Sequence, residues 1–328
     1  MPQSIRLSLS LAGTAALALA STPFGISPAG AEEAKVAKGT AADLGVMEVS
    51  LKDAVQFNWG FQGQTQGAGT PNAIGIGGFL PLAVGINNVF FLDALANVNL
   101  PDIGNSSSII NTEVAGTTIS TSTRLGYRWL NSNRSWMFGV NAGYDSRPMA
   151  TGQPDTGITV TNLQTPFFQQ VAAGLEAVSN QWNFNAYALV PVGDTDQRLN
   201  SAYNGGALDT YGLDAGYSIT PDLKASVGYY YQQGDLDEVD GSGVRGRFAY
   251  NISNGLTLGA NISYDQAFST RFSADLKYRF GSNEYGSPQK LQPPMLPVIQ
   301  AMSTTPANRD ARVHDSVIND QITDAVTQ

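Results

Sequence analysis

The sequence GLTLGANISYDQAFSTRFSADLKYRFG, residues 255–281, decides the fold class because its side chains alternate between two faces. From Leu256 to Tyr264 every second side chain is apolar, and the side chains between them are small or polar. The alternation returns from Phe272 to Phe280, with basic and acidic side chains on the opposite face. A repeat of two residues with one apolar and one polar face predicts two β-strands joined by a hairpin.

The same alternation recurs along residues 54–281 in segments of about ten residues, and together with the last hairpin it predicts twelve strands. Short predicted connections, such as 131–133 and 220–222, alternate with long ones, such as 146–165. Outer-membrane barrels have an even number of strands, short periplasmic turns and longer outward loops. The predicted fold class is therefore all-β, a 12-stranded antiparallel transmembrane β-barrel with short disordered or helical tails. A soluble periplasmic β-sandwich, which has the same alternation, is the alternative.

Composition excludes several classes of function. The 328 residues carry a net charge of −9 with no nucleic-acid-binding basic region, so we expect no nucleic-acid partner. The absence of cysteine excludes disulfides, thiolate metal sites and a cysteine nucleophile. A mean hydropathy of −0.12 excludes a bundle of transmembrane helices, but it is compatible with a barrel, whose strands are half polar.

The chain divides into four predicted regions. Residues 1–31 are expected to be a signal peptide, because Arg6 precedes an apolar run and Ala29-Gly30-Ala31 has the small-x-small pattern of a cleavage site. Residues 32–53 form a periplasmic lead segment, residues 54–281 the barrel, and residues 282–328 a Pro-rich tail. Apolar residues of the tail between 313 and 326 have the spacing of an amphipathic helix, and a solvated, disordered tail is the alternative.

Charged side chains on the polar faces of the strands belong inside the barrel, because a lipid-facing Arg or Lys at the midplane costs about 2–4 kcal/mol. They line the lumen to contact a threaded segment or passing ions, or they form cross-strand ion pairs that stiffen the barrel. The near balance of signs predicts weak ion selectivity. The candidate lumen-lining residues are Arg124, Arg128, Asp145, Glu176, Asp214, Arg245, Arg247, Asp265, Arg271, Asp275, Lys277 and Arg279.

Catalysis has little support in the sequence. His314, the only histidine, lies in the tail, so no histidine-based triad can be built on the strands. The acidic stretch 234–243 lacks the spacing of a calcium loop and is read as a solvated outward loop. We therefore expect no enzyme, no cofactor and no metal site.

Four segments resemble the transporter barrel of inverse autotransporters, the intimin and invasin family. They are residues 81–94 (PLAVGINNVFFLDA), 124–147 (RLGYRWLNSNRSWMFGVNAGYDSR), 169–194 (QQVAAGLEAVSNQWNFNAYALVPVGD) and 244–265 (VRGRFAYNISNGLTLGANISYD). The resemblance implies a barrel in the outer membrane of a diderm bacterium, through which the following chain threads outward to display a passenger. The chain departs from this pattern after Gly281, where only 47 residues remain, too few for an immunoglobulin-like domain, so adhesion is not carried over.

The expected function is that of a barrel that translocates and anchors a C-terminal segment with a vestigial passenger, and a porin-like channel for ions or small solutes is the alternative. The expected partners are outer-membrane lipid and the barrel assembly machinery, because Tyr278-Arg279-Phe280 resembles the strand ending that this machinery reads. The sequence does not identify a host or cell-surface partner for the outward loops.

Overall fold

The computed structural model describes residues 50–104, 106–234, 236, 240–253, 255–281 and 297–318. The expected signal peptide and nearly all of the expected lead segment lie outside these residues, as do residues 282–296 and 319–328 of the tail and residues 235 and 237–239 of the acidic stretch 234–243.

Two short helices and a 3-10 turn flank the strands: α1 (Leu51–Ala54), α2 (Pro297–Gln300) and the 3-10 turn Ala301–Ser303. The strands are, in chain order, β1 (Asn58–Gln64), β2 (Asn72–Val84), β3 (Asn88–Leu100), β4 (Thr112–Val114), β5 (Thr118–Leu130), β6 (Trp136–Pro148), β7 (Thr151–Pro154), β8 (Phe167–Ser179), β9 (Trp182–Pro191), β10 (Asp196–Arg198), β11 (Tyr203–Ala207), β12 (Asp209–Ser218), β13 (Leu223–Gln233), β14 (Gly241–Ser253), β15 (Leu256–Asp265), β16 (Ser269–Phe280) and β17 (Val313–Val317).

Twelve of these strands form one closed antiparallel barrel, as the alternation of side chains predicts. The order around the barrel is β1-β2-β3-β5-β6-β8-β9-β12-β13-β14-β15-β16, and β1 pairs with β16 to close it. In the closing pair Trp59 lies opposite Phe280, and Gly60 lies opposite Arg279. The closed barrel excludes the soluble β-sandwich.

The outer face of the barrel is apolar, as a protein in lipid requires. Large apolar side chains from every barrel strand are exposed there, including Phe272 and Val227, whose exposures of 71% and 69% would be costly in water. At the short-turn end, aromatic rings form pairs such as Trp59 with Phe280 (4.7 Å between centroids) and Trp182 with Tyr217 (4.8 Å). Such aromatic girdles are typical of the membrane interface.

The long loops carry the remaining strands. β4 pairs with β7, and β10, β11 and β17 form a small sheet that includes the C-terminal segment. The helical spacing from residue 313 onward therefore gave a wrong prediction for residues 313–317. These residues form a strand because their backbone pairs with β11, from Val313 opposite Ala207 to Val317 opposite Tyr203. Isolated helices this short are marginal, so strand pairing outweighs the spacing.

The first strand begins at Asn58 rather than at Ala54, because residues 51–54 form the helical turn α1. This turn packs inside the short-turn end of the barrel against the first described residues of the tail. The cluster buries Leu51 and Val55 with Val298, Ile299 and Met302, and with the inward-facing side chains Phe79, Val89, Phe91, Leu130 and Met137. Within the part of the chain that the structure describes, no helix is long and apolar enough to cross a membrane.

Candidate functional site: the interior of the barrel

Three of the predicted lumen pairs join strands that are not neighbours, because a glycine lies on the strand between them. Arg128 on β5 and Glu176 on β8 form a bidentate ion pair with a shortest distance of 2.7 Å between Nε and Oε2. Gly139 of β6 lies in register with both residues. A Cβ atom at this position would lie 2.7 Å from Oε2 of Glu176. The glycine therefore makes room for the ion pair.

Two further pairs cross an intervening strand on the other side of the barrel. In the first a glycine is again in register with both partners, whereas in the second Gly259 is in register with Asp275 only and Asn261 with Arg247. Arg245 on β14 pairs with Asp214 on β12 across Gly228, with 2.8 Å between Nε and Oδ1. Arg247 pairs with Asp275 on β16 across β15, with 2.9 Å between Nη2 and Oδ1. The fourth pair joins neighbouring strands, since Arg124 Nη1 lies 2.6 Å from Asp145 Oδ1, and Gln170 donates a hydrogen bond of 2.7 Å to the same carboxylate.

The remaining four predicted lumen residues lie near the two ends of the barrel. Asp265 accepts hydrogen bonds from the Phe268 backbone N–H (2.7 Å) and from the Tyr230 hydroxyl, so it holds the last outward turn. Arg271 donates to the Ser107 carbonyl in a long loop (3.0 Å). Lys277 and Arg279 lie toward the short-turn end, where Arg279 donates to the Thr305 hydroxyl.

The C-terminal segment, residues 297–318, lies inside the barrel and makes polar contacts with its wall. Asn58 donates to the Ser303 carbonyl (3.1 Å), and Arg128 donates to the Thr304 carbonyl (2.7 Å). The Arg128 guanidinium also lies over the ring of Phe91, with 4.5 Å from Cζ to the centroid. These contacts fix the segment at the short-turn end of the barrel.

Further along the segment, Asn308 lies between two arginines of opposite walls. Arg124 donates to its backbone carbonyl (3.2 Å), and Arg245 donates to its side-chain oxygen (2.8 Å). The next residue, Arg309, forms an ion pair of 2.7 Å with Asp93 of β3, and both side chains are buried. The middle of the segment is therefore held by charged groups rather than by apolar packing.

At the long-loop end the segment becomes part of the loop structure. Arg147 donates to the Ala311 carbonyl (2.8 Å), and Arg312 donates to the Gln232 side chain (2.9 Å). Beyond them, β17 pairs with β11. Asp315 accepts hydrogen bonds from the backbone N–H groups of Asn111 (3.0 Å) and Thr112 (2.6 Å).

Two titratable groups of β17 have shifted pKa values at this end. Burial raises the pKa of Asp315 to about 6, against the opposing effect of its hydrogen bonds from Thr112 and Asn111. Burial lowers the pKa of His314 to about 4, and the Asp265 carboxylate opposes this shift. The His314 ring packs edge-on against Phe268, with 5.8 Å between centroids.

The C-terminal segment covers the two walls of the lumen unequally. We call barrel strands β1 to β8 the first wall, and β9 together with β12 to β16 the second wall. On the first wall the charged pairs are almost completely covered, with Arg124 1% and Arg128 0% exposed. Beside the second wall a cavity of about 540 Å³ remains, and Arg245 and Arg247 there are 28% and 30% exposed.

Several residues that hold the segment were not among the predicted ones. Asn58, Gln64 and Arg147 point inward with the same alternation as their predicted neighbours, so the period of two could have identified them. Phe79 and Phe91 also point inward, although apolar side chains are expected to face lipid. The period of two nevertheless places both rings on the inner face, since Phe91 shares the parity of Asp93, and Phe79 alternates with the outward Ile76 and Leu80.

The closed barrel with its apolar outer face defines the class: the chain is a β-barrel of the bacterial outer membrane. Comparison with solved structures finds chains that are similar to it. One is a chain from work on the mechanism of in-meso crystallization of membrane proteins, with 11% identity and a TM-score of 0.56, covering 79% of this chain and 99% of that chain. Another is an outer-membrane channel from Pseudomonas putida F1, with 13% identity and a TM-score of 0.41, covering 68% of this chain and 92% of that chain. No family model and no curated protein matches the sequence.

The expectation that the chain is not an enzyme is corrected by the same comparison. The similar structures include outer membrane phospholipase A from Escherichia coli, with 12% identity and a TM-score of 0.38, covering 71% of this chain and 97% of that chain. The expectation that His314 lies in the tail, away from the barrel, is also wrong. This residue is part of β17, which pairs with β11 among the loops, and its ring packs against Phe268.

Proposed function

We propose that the chain is an outer-membrane barrel of the inverse-autotransporter type, which anchors its own C-terminal segment in its pore. The segment enters at the short-turn, periplasmic end and leaves among the outward loops. The observation that carries this proposal is the ordered series of contacts between residues 303–315 and the lumen. A barrel that only conducts solutes has no need of such a series.

The order of the contacts supports an extended segment that runs along the strands. Thr304 meets Arg128 and Asn308 meets Arg124, so four residues of the segment span four residues of β5. On β1, Ser303 meets Asn58 and Asp310 meets Gln64. At about 3.3 Å per extended residue, the ten residue steps from Ser303 to Val313 reach roughly 33 Å, which exceeds a hydrophobic band of about 25 Å.

The test is an epitope placed after Gln328, probed with antibody on intact cells and again after the outer membrane has been permeabilised. Labelling of intact cells is the expected result. Labelling only after permeabilisation, with the barrel found in the outer-membrane fraction, would reject the proposal.

Two matched insertions calibrate the experiment. The same epitope between Asn180 and Gln181, in a short turn, is expected to be labelled only after permeabilisation. Between Thr156 and Gly157, in a long loop, it is expected to be labelled on intact cells. If these two controls show the opposite result, the orientation of the barrel is reversed and the proposed path of the segment is wrong.

A second candidate function, a porin-like channel for ions or small solutes, is favoured by the cavity of about 540 Å³ beside the second wall. Planar-bilayer conductance of the full chain and of a variant lacking residues 282–328 tests it. A channel should conduct with the segment present. Conductance that appears only in the shortened variant would assign the segment the role of a plug and remove this candidate.

A further inference from the structure

We propose that the short-turn end of the lumen contains a binding site for a small oxyanion of phosphate size. The site is a cavity of about 210 Å³ between the C-terminal segment and strands β13 to β16. It goes beyond both candidate functions, since neither requires a bound anion.

The first argument is the sign of the charges around the cavity. Four of its lining side chains are cationic, and none of the described residues that line it is acidic. These side chains come from three strands. They converge because all of them point into the lumen and lie toward the short-turn end of the barrel. They are Lys224 of β13, Arg247 of β14, and Lys277 and Arg279 of β16.

The second argument is that neither lysine has a hydrogen-bonding or ion-pair partner among the described residues, although Lys277 interacts with the Asp275 carboxylate over a longer distance. Within the described part of the chain, neither Lys224 nor Lys277 donates a hydrogen bond, and neither lies within ion-pair distance of a carboxylate. Arg247, in contrast, is paired with Asp275. Because salt screens charges inside a protein less than on its surface, gathered and unpaired ammonium groups attract an anion.

The third argument is the supply of neutral hydrogen-bonding groups. The hydroxyl-bearing side chains of Thr257, Ser303 and Thr305 line the cavity together with the amides of Asn58 and Asn251. Oxyanions are bound most strongly where ammonium or guanidinium groups and neutral donors surround several oxygens. A cavity of about 210 Å³ has room for such an ion with water molecules.

The chemistry therefore points to inorganic phosphate, or an oxyanion of the same size, held between the barrel wall and the segment. Its oxygens would link Lys224 and Lys277 to the hydroxyls of the segment. Rings of Arg and Lys serve as anion or phosphate sites in other pores for the same electrostatic reason.

The experiment measures the ³¹P linewidth of inorganic phosphate and the unfolding temperature of the purified full chain in detergent. Phosphate is titrated against chloride at constant ionic strength. We expect saturable broadening, and a rise in unfolding temperature of about 3–5 °C at a tenfold excess over the dissociation constant. Equal effects of phosphate and chloride would overturn the site.

Variants locate the binding. Lys277→Gln and Lys224→Gln should each weaken phosphate binding about tenfold or more, whereas Lys277→Arg should retain it. Lys52→Gln removes an exposed lysine of α1 that does not line the cavity, and it should leave binding unchanged. Undiminished binding in both glutamine variants, or an equal loss in Lys52→Gln, would contradict the proposal. Because the measurement uses purified protein, it does not depend on whether the epitope after Gln328 is exposed on cells.

Discussion

The two walls of the lumen contain the same kind of ion pair in different surroundings. On the first wall, Arg128 and Glu176 lie beneath the C-terminal segment, and the guanidinium is 0% exposed. On the second wall, Arg247 and Asp275 have the same bidentate geometry, but Arg247 is 30% exposed to a cavity. We therefore expect the contribution of each pair to stability to depend on whether the C-terminal segment covers the pair, and not on the chemistry of the pair itself.

The largest expected effect is on the first wall. Arg128→Ala leaves Glu176 without its partner beneath the segment, and it removes the donor to the Thr304 carbonyl. We expect a loss of about 3–5 kcal/mol in the free energy of unfolding, as for other broken buried pairs. Urea unfolding of the barrel folded into phospholipid vesicles measures this loss.

Arg247→Ala is the matched variant on the second wall. Asp275 is itself only 9% exposed, but loss of the half-open Arg247 side chain exposes it to the cavity, and Asn261 still donates a hydrogen bond to it (3.1 Å). We therefore expect a smaller loss, of about 1 kcal/mol. Equal losses in the two variants would remove the distinction between the walls. Arg128→Lys, which keeps the charge but loses the bidentate contact, should fall between them.

A smaller effect is expected at the glycines beneath these pairs. A Cβ atom at Gly139 would meet Glu176 and Arg128, and one at Gly259 would meet Asp275 and Arg247. On the first wall the segment prevents the pair from moving, so Gly139→Ala should cost about 1–2 kcal/mol. On the second wall the pair can move into the cavity, so Gly259→Ala should be nearly neutral.

The same urea experiment compares the two alanine variants. Its outcome is informative because an added Cβ atom would lie closer to Asp275 at Gly259 than to Glu176 at Gly139. A larger loss for Gly259→Ala would mean that local crowding, and not cover by the segment, determines the cost.

The smallest expected effect is the pH dependence of the docking of β17 at the long-loop end of the barrel, beyond both walls. Asp315 has a pKa of about 6 when β17 is docked, above its ordinary value, so it holds its proton more tightly in the docked segment than in the free one. Its contribution to docking is therefore full below about pH 4 and is lost as the pH rises through 6. Docked His314, with a pKa of about 4, contributes fully above about pH 6.5 and loses its contribution as the pH falls toward 4. The two contributions oppose each other between these values.

Substitution of one of these two residues should therefore make the pH dependence of the other measurable. In His314→Gln, β17 should dock more tightly at about pH 5 than at about pH 7.5, and in Asp315→Asn it should dock less tightly, each by roughly 1 kcal/mol. Hydrogen exchange of residues 313–317, corrected for intrinsic rates, measures the docking free energy. The same sign of pH dependence in both variants would show that other groups dominate.

The barrel could be predicted from the sequence because the alternation of apolar and polar side chains is visible within each strand. The alternation in residues 255–281 requires no knowledge of distant residues, and a shift by one residue would turn the charged face toward lipid. The inward position of Arg124, Asp145 and Glu176 follows from the same alternation.

The path of the C-terminal segment was not predictable, because it depends on contacts between distant residues. Val313 and Val317 have a helical spacing, yet they pair as a strand with residues more than a hundred positions earlier. The burial of Phe79 and Phe91, which face inward by strand alternation, likewise depends on distant residues of the segment, Val298 and Met302. A balance of charge signs along the strands also does not reveal that Lys224 and Lys277 gather at one end of the pore.

The glycine between the partners of an ion pair has a consequence for assembly. Arg128, Gly139 and Glu176 occupy one register row on three consecutive barrel strands. Their ion pair can close only when both pairings are correct, because a slip by one residue in either pairing turns a charged group toward lipid. A misaligned strand at this triplet therefore loses the ion pair and exposes a charge to lipid, which favours the correct register over its neighbours.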